Sequence, residues 1–125
     1  MALKISGTEV VNNSRALVNI TGASGSYDGF HANVNTITTV LDLNEPVMIL
    51  TMSGNVTFTE SNKSVGRSSM LILDRSASGH TPTFSSNIKW PGGSTPTWSD
   101  HRYWNIGLLC WDSTTIRATA VGFDG

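Results

Sequence analysis

Val34-Asn35-Thr36-Ile37-Thr38-Thr39-Val40-Leu41-Asp42-Leu43 is the stretch whose reading decides the fold. Successive side chains of an extended chain point to opposite faces. Val34, Thr36, Thr38, Val40 and Asp42 therefore share one face, and Asn35, Ile37, Thr39, Leu41 and Leu43 share the other. Each face is only partly apolar, the pattern of an antiparallel sheet that is wet on one side. The same kind of run recurs at Glu9-Val10-Val11, Leu17-Val18-Asn19-Ile20, Val47 to Met52 and Val56 to Thr59. It recurs again at Met70 to Leu73, Trp104 to Trp111 and Thr115 to Phe123. No segment keeps a 3.6-residue apolar period, so little or no α-helix is expected.

Turn formers separate these runs at short intervals. They fall at Gly22 to Gly29, Asn44-Glu45-Pro46, Ser53-Gly54-Asn55, Ser61 to Gly66, Ser76 to Gly79, Pro91-Gly92-Gly93 and Asp112-Ser113. Gly and Asn permit positive φ, and Pro presets the first turn position. Many short strands at this spacing predict an all-β chain, an antiparallel β-sandwich or jelly-roll-like domain. The segment from Ser6 to Ser26 is polar, Gly-rich and thinly apolar. It reads as an N-terminal extended arm over residues 1–26, with the β-sandwich domain over 27–125. The apolar residues of that arm, Val10, Val11, Leu17, Val18 and Ile20, are expected to pack on a neighbouring subunit.

Composition narrows the function. The chain has 125 residues, enough for one domain. Only 14% of them are charged, and the formal net charge is −1. Such a surface has no electrostatic footprint for nucleic acid or for an anionic membrane. No run approaches the roughly 20 apolar residues of a membrane span. The opening Met1-Ala2-Leu3-Lys4-Ile5-Ser6 has no apolar run of the secretory kind, so no export signal is expected. A low-charge, Ser/Thr-rich surface suits a protein that lives in an assembly. The single cysteine, Cys110, sits in the apolar run Ile106 to Trp111 and is expected to be a small buried hydrophobe.

The segment Asn87-Ile88-Lys89-Trp90-Pro91-Gly92-Gly93-Ser94-Thr95-Pro96-Thr97-Trp98 carries the most information. A strand should end at Trp90, and Pro91, Gly92 and Gly93 should turn the chain sharply. Trp90 would anchor that turn by burying a large ring, without a binding role. Trp98, Tyr103 and Trp104 follow closely. Large aromatics are most often core or interface residues, and they can also stack on sugar rings.

Lys89-Trp90-Pro91-Gly92-Gly93, then Thr95-Pro96-Thr97, then two strands ending near Gly122-Phe123, resembles a C-terminal β domain of phage tail-fibre and other virion structural proteins, especially those of marine and cyanobacterial phages. Ser53 to Thr59, Met70 to Gly79 and Thr83-Phe84 resemble its upstream strands. Ile5-Ser6-Gly7-Thr8-Glu9-Val10-Val11, continuing through Ser14-Arg15-Ala16-Leu17-Val18-Asn19-Ile20, resembles the leader of phage fibre proteins. The shaft usually found between leader and C-terminal domain is missing, which points to a compact capsid decoration (cement) protein or a short appendage. The resemblance implies a homotrimer in the virion, assembled in the host cytoplasm and touching the major capsid protein or other virion proteins. The alternative it implies is a tail-fibre or receptor-binding module that recognises a host surface glycan.

Catalytic patterns are not visible. His31, His80 and His101 lack metal-ligand spacing. Asp100-His101 is a neighbouring acid/base pair, but adjacent residues on a strand point apart. No nucleophile elbow or phosphate-binding loop occurs. The nine acidic residues lie mostly in turns, which does not fit the paired carboxylates of a glycan depolymerase. The expectation is a non-enzymatic protein without metal or cofactor.

Overall fold

The computed structural model describes residues 33–77 and 79–125, together with the strand backbones of Leu3–Ile5 and Thr8–Val11. The chain divides between His31 and Ala32. On the N-terminal side, β1 (Leu3–Ile5) and β2 (Thr8–Val11) form an antiparallel hairpin that pairs Ile5 with Thr8 and Lys4 with Glu9. A register shift between Leu3 and Lys4 sets Leu3 opposite Val11. Val10 and Val11 belong to β2, whereas Leu17, Val18 and Ile20 lie outside the described residues.

On the C-terminal side the chain is all-β, with no α-helix among the described residues. It contains β3 (Val34–Thr36), β4 (Val40–Asp42), β5 (Val47–Thr51), β6 (Val56–Thr57), β7 (Thr59–Ser61), β8 (Ser68–Asp74), β9 (Pro82–Thr83), β10 (Ile88–Lys89), β11 (Tyr103–Cys110) and β12 (Ile116–Phe123). Six of these strands make one sheet in the order β10-β12-β11-β8-β5-β3. The pairs β4/β7 and β6/β9 stand apart from it. The main sheet and these two pairs share one apolar core, consistent with a sandwich.

Pairing is mixed, where antiparallel pairing alone was expected. β3/β5, β5/β8, β4/β7, β6/β9 and β10/β12 are parallel. Only β8/β11 and β11/β12 are antiparallel here. The N-terminal half of this unit therefore winds in successive turns, each laying strands beside those of the turn before. The ten residues from Val34 to Leu43 are two strands for that reason. The chain bends at Ile37 to Thr39, so β3 joins the main sheet and β4 the opposing pair. Side-chain alternation survives the bend: Ile37, Leu41 and Leu43, from one predicted face, are all buried. Val56 to Thr59 divides in the same way around buried Phe58.

The core follows from period-two alternation on the inner face of the main sheet. Met48 and Leu50 of β5 sit beside Leu71 and Leu73 of β8 in matched register. Ile106 and Leu108 of β11, with Ile116 and Ala118 of β12, extend the layer. Leu41, Met52 and Phe58 belong to the same buried cluster. Cys110 is buried in it as a small hydrophobe. At about 25 cal/mol per Å² of apolar surface removed from water, this layer is the main source of stability.

Three aspartates brace the turns. Asp42 accepts from the Asn62 side-chain amide at 2.7 Å and from the Asn44 N–H at 2.9 Å. Asp74 accepts from Arg102 Nε at 2.9 Å and from the Ser76 N–H at 2.8 Å. Asp112 closes the β11–β12 turn by accepting from the N–H groups of Thr114 and Thr115 at 2.8 and 2.6 Å. The hydrogen bonds from Asn62, from Arg102 and from the Thr114 backbone, respectively, are the main cause that holds each carboxyl below its usual range. A folded pKa depressed below the unfolded value of about 3.9 stabilises the protein above that pH and is lost as pH falls through the folded value. Thermal stability should thus stay level between pH 7 and 5, as far as these groups decide it, and fall below about pH 4. A melting temperature that rises on acidification from pH 5 to 3 would contradict this.

Candidate functional site: an aromatic cap and a bare sheet face

The Trp-rich segment folds back on the core as a chain of rings. Phe58 stacks on Phe84 at 4.9 Å between centroids, and Phe84 meets Trp90 edge-on at 5.3 Å. Trp98 lies 5.5 Å from Phe84, 5.6 Å from Trp90 and 5.0 Å from Trp104. Edge-to-face and offset pairs at such distances match the aromatic quadrupole and add to burial. Trp98 and Trp104 are 7% and 6% exposed, so their rings belong to the chain's own core. Trp98 also reaches the lining of a groove beside Trp90.

Tyr103 points the other way. It neighbours Trp104 on β11, and alternation sends adjacent residues to opposite faces. Trp104 Nε1 donates to the His101 carbonyl at 3.0 Å. The His101 ring lies edge-on to Trp104 and over Gly122, where an added Cβ would come within 2.2 Å of it. His101 Nδ1 lies 2.8 Å from Asp124 Oδ1. The adjacent Asp100 occupies a 3-10 turn at Trp98–Asp100.

Trp90 is half-buried against the core, and the chain turns at Pro91–Gly93 as expected. Gly93 N–H donates to the Trp90 carbonyl at 3.0 Å. Gly92 and Gly93 have φ of 67° and 76°, a region that L side chains rarely adopt. A groove of about 520 Å³ runs beside this turn. Phe84, Trp90 and Trp98 line it, together with Thr83, Ser85, Thr95 and the charged Lys89. Replacing Trp90 by Ala should cost about 3 kcal/mol, the lower end for a large aromatic because the ring is only half-buried. Urea denaturation measures this, and an unchanged midpoint would refute the anchoring role.

The outer face of the main sheet is the other distinctive feature. Register aligns its side chains in rows across the strands. One row runs Val34, Val47, Met70, Gly107, Thr119, and the next runs Thr36, Ile49, Ile72, Asn105, Val121. A third carries Thr51, Asp74, Tyr103 and Phe123. Leu109 and Arg117 close one end. Of the large apolar side chains that remain exposed, Val34, Met70, Ile72, Leu109, Val121 and Phe123 all lie on this one face. Its charged residues stand at strand ends: Asp74 at the end of β8 is held by Arg102, which also lies over the Tyr103 ring, Arg117 lies over the Trp111 ring at 3.8 Å, and Lys89 of β10, in register with Arg117, donates to the Ser86 carbonyl. Reading the segments singly missed this face. The signal was present as Met70/Ile72 and Val121/Phe123, apolar residues on both parities of strands that should alternate with polar ones.

Among the described residues, no three His, Cys, Asp or Glu side chains gather as a metal site. Comparison of the chain with family models, curated proteins and solved structures finds no match.

Proposed function

We propose that the chain is a structural protein of a phage particle that decorates the capsid or forms a short surface appendage, joining copies of itself and other virion proteins through sheet surfaces. Its role is mechanical, with no catalytic step. The observation that carries this reading is the set of exposed apolar side chains, Val34, Met70, Ile72, Leu109, Val121 and Phe123, gathered on one face of the six-stranded sheet with charged residues at the strand ends. Large exposed apolar patches rimmed by polar residues mark protein–protein contacts. The resemblance of the Lys89 to Gly93 segment to phage virion proteins supplies the setting. The test is the protein's location and copy number in intact particles. Hundreds of copies on the shell support decoration, and a handful at the tail support a fibre. Absence from purified particles would overturn the reading.

A second reading, recognition of a host glycan, is favoured by one observation. The groove beside Trp90 combines aromatic rings with serine and threonine residues and one lysine, Lys89, a chemistry suited to sugar rings. If Trp90→Ala kept its melting temperature and lost only adhesion to host cells, this reading would replace the first.

A further inference from the structure

We infer that the groove beside Trp90 takes an acidic saccharide, one whose carboxylate or sulfate is received by Lys89. This rests on the glycan reading, the second given above, and adds the charge class of the ligand.

Two pieces of chain build the groove. Residues 81–86, from β9 onward, form one side, and β10 with the Pro91–Gly93 turn forms the other. Its volume of about 520 Å³ falls within the roughly 300–1,000 Å³ of small-ligand sites. Trp90 is half-buried, so part of its ring stays open to the groove that it lines. The C–H face of a sugar is apolar and packs on such a ring.

Ser85 is set in place from behind. Its hydroxyl donates to Glu60 Oε1 at 2.7 Å and accepts from the Asn87 N–H at 3.2 Å. The Glu60 side chain is 2% exposed, lies off the groove lining and faces Lys63 Nζ at 3.9 Å. With its proton committed to Glu60, Ser85 meets a ligand only as an acceptor, so it selects a ligand hydroxyl. A saccharide supplies one.

Lys89 sets the charge. Among the described residues it is the one charged side chain on the lining. Its ammonium donates to the Ser86 carbonyl at 2.7 Å. That contact uses one of three protons and neutralises nothing. Arg117 of β12 is its register partner, one strand away. Neighbouring strands lie about 4.8 Å apart, and like charges side by side repel. Among the described residues neither cation pairs with a carboxylate. An anion at Lys89 relieves this repulsion, and a neutral sugar does not. The hydrogen bond it accepts from the ammonium is charge-assisted, about twice as strong as a neutral one. Stacking on Trp90, a hydroxyl on Ser85 and an acid group on Lys89 together fix the orientation of one sugar.

A printed array of neutral, uronic-acid and sulfated oligosaccharides tests the specificity, and its two acidic arms tell carboxylate from sulfate. Calorimetric titration then compares the best acidic binder with its neutral counterpart, the methyl ester or the desulfated chain. The acidic form should bind about 10-fold more tightly. Lys89→Gln should erase that difference, keep the affinity for the neutral form and keep the melting temperature, since Lys89 is exposed. Arg102→Gln, beside Tyr103 and six residues along β11 from the Leu109–Arg117 pair, should change neither affinity. A neutral form that binds as tightly as the acidic one would overturn the charge class and keep the glycan reading. Equal losses for both forms in Lys89→Gln would make Lys89 structural and overturn the inference. Equal binding of polyglutamate or single-stranded DNA would do the same, since any polyanion would then serve. Binding of no saccharide at all would overturn the glycan reading and this inference with it.

Discussion

Arg75→Met should lower the unfolding free energy by about 3–5 kcal/mol, the range seen when a buried charged group's partners are left unsatisfied. Arg75 is 5% exposed, and its guanidinium donates to backbone carbonyls. Nε reaches the His80 carbonyl at 2.7 Å, Nη1 the His101 carbonyl at 2.8 Å and Nη2 the Gly79 carbonyl at 2.9 Å. One side chain thereby fixes the 76–80 turn to the start of β11. Methionine fills similar space and supplies none of these donors, so three carbonyls lose a partner. In a domain whose total stability is roughly 5–15 kcal/mol, this is a large share. Arg75→Lys should fall between the two, because an ammonium lacks the planar fork that addresses diverging acceptors. Chemical denaturation of the three proteins checks the order. A methionine variant within about 1 kcal/mol of the unaltered chain would show that water replaces the guanidinium.

The second large effect is expected at Trp98. Its ring touches three others, so Trp98→Ala removes a hub as well as a buried side chain. The cost should be about 4–5 kcal/mol, at the upper end for an aromatic truncation, since the surrounding rings cannot all close the gap. Trp98→Phe should recover part of it by keeping one aromatic pair. Near-ultraviolet circular dichroism adds a readout specific to packing, because coupled tryptophans give a signal that the alanine variant should lose. A Trp98→Ala protein with unchanged stability and a new deficit in partner or ligand binding would move Trp98 from core to interface.

Alternation along β11 divides core from surface. On β11, Trp104, Ile106, Leu108 and Cys110 face inward, while Tyr103, Asn105, Gly107 and Leu109 face outward. On this strand the interior takes Trp104 and the aliphatic residues, and the outer side carries a tyrosine, an asparagine, a glycine and a leucine.

Local chemistry alone determined much of this protein. Period-two alternation marked Ile37, Leu41 and Leu43 for burial, and Pro91-Gly92-Gly93 required a turn with positive φ, as Gly92 and Gly93 show. The short spacing of turn formers excluded helices and made the chain all-β. Tertiary structure decided what alternation does not encode. A strand of either pairing direction shows the same local pattern, so the parallel winding of β3 to β9 was not legible from single segments. The bend at Thr38 was equally hidden, because threonine suits both strand and corner. Burial of Trp98 depended on Phe84 and Trp90, which are brought beside it only when β9 pairs with β6 and β10 returns to the edge of the main sheet, and Trp98 in turn packs on Trp104. Arg75 read as an ordinary surface charge after a strand, yet it continues the inward parity of Leu71 and Leu73 into a site walled by carbonyls. Such groups are recognised by what surrounds them, and those surroundings come from residues distant in sequence.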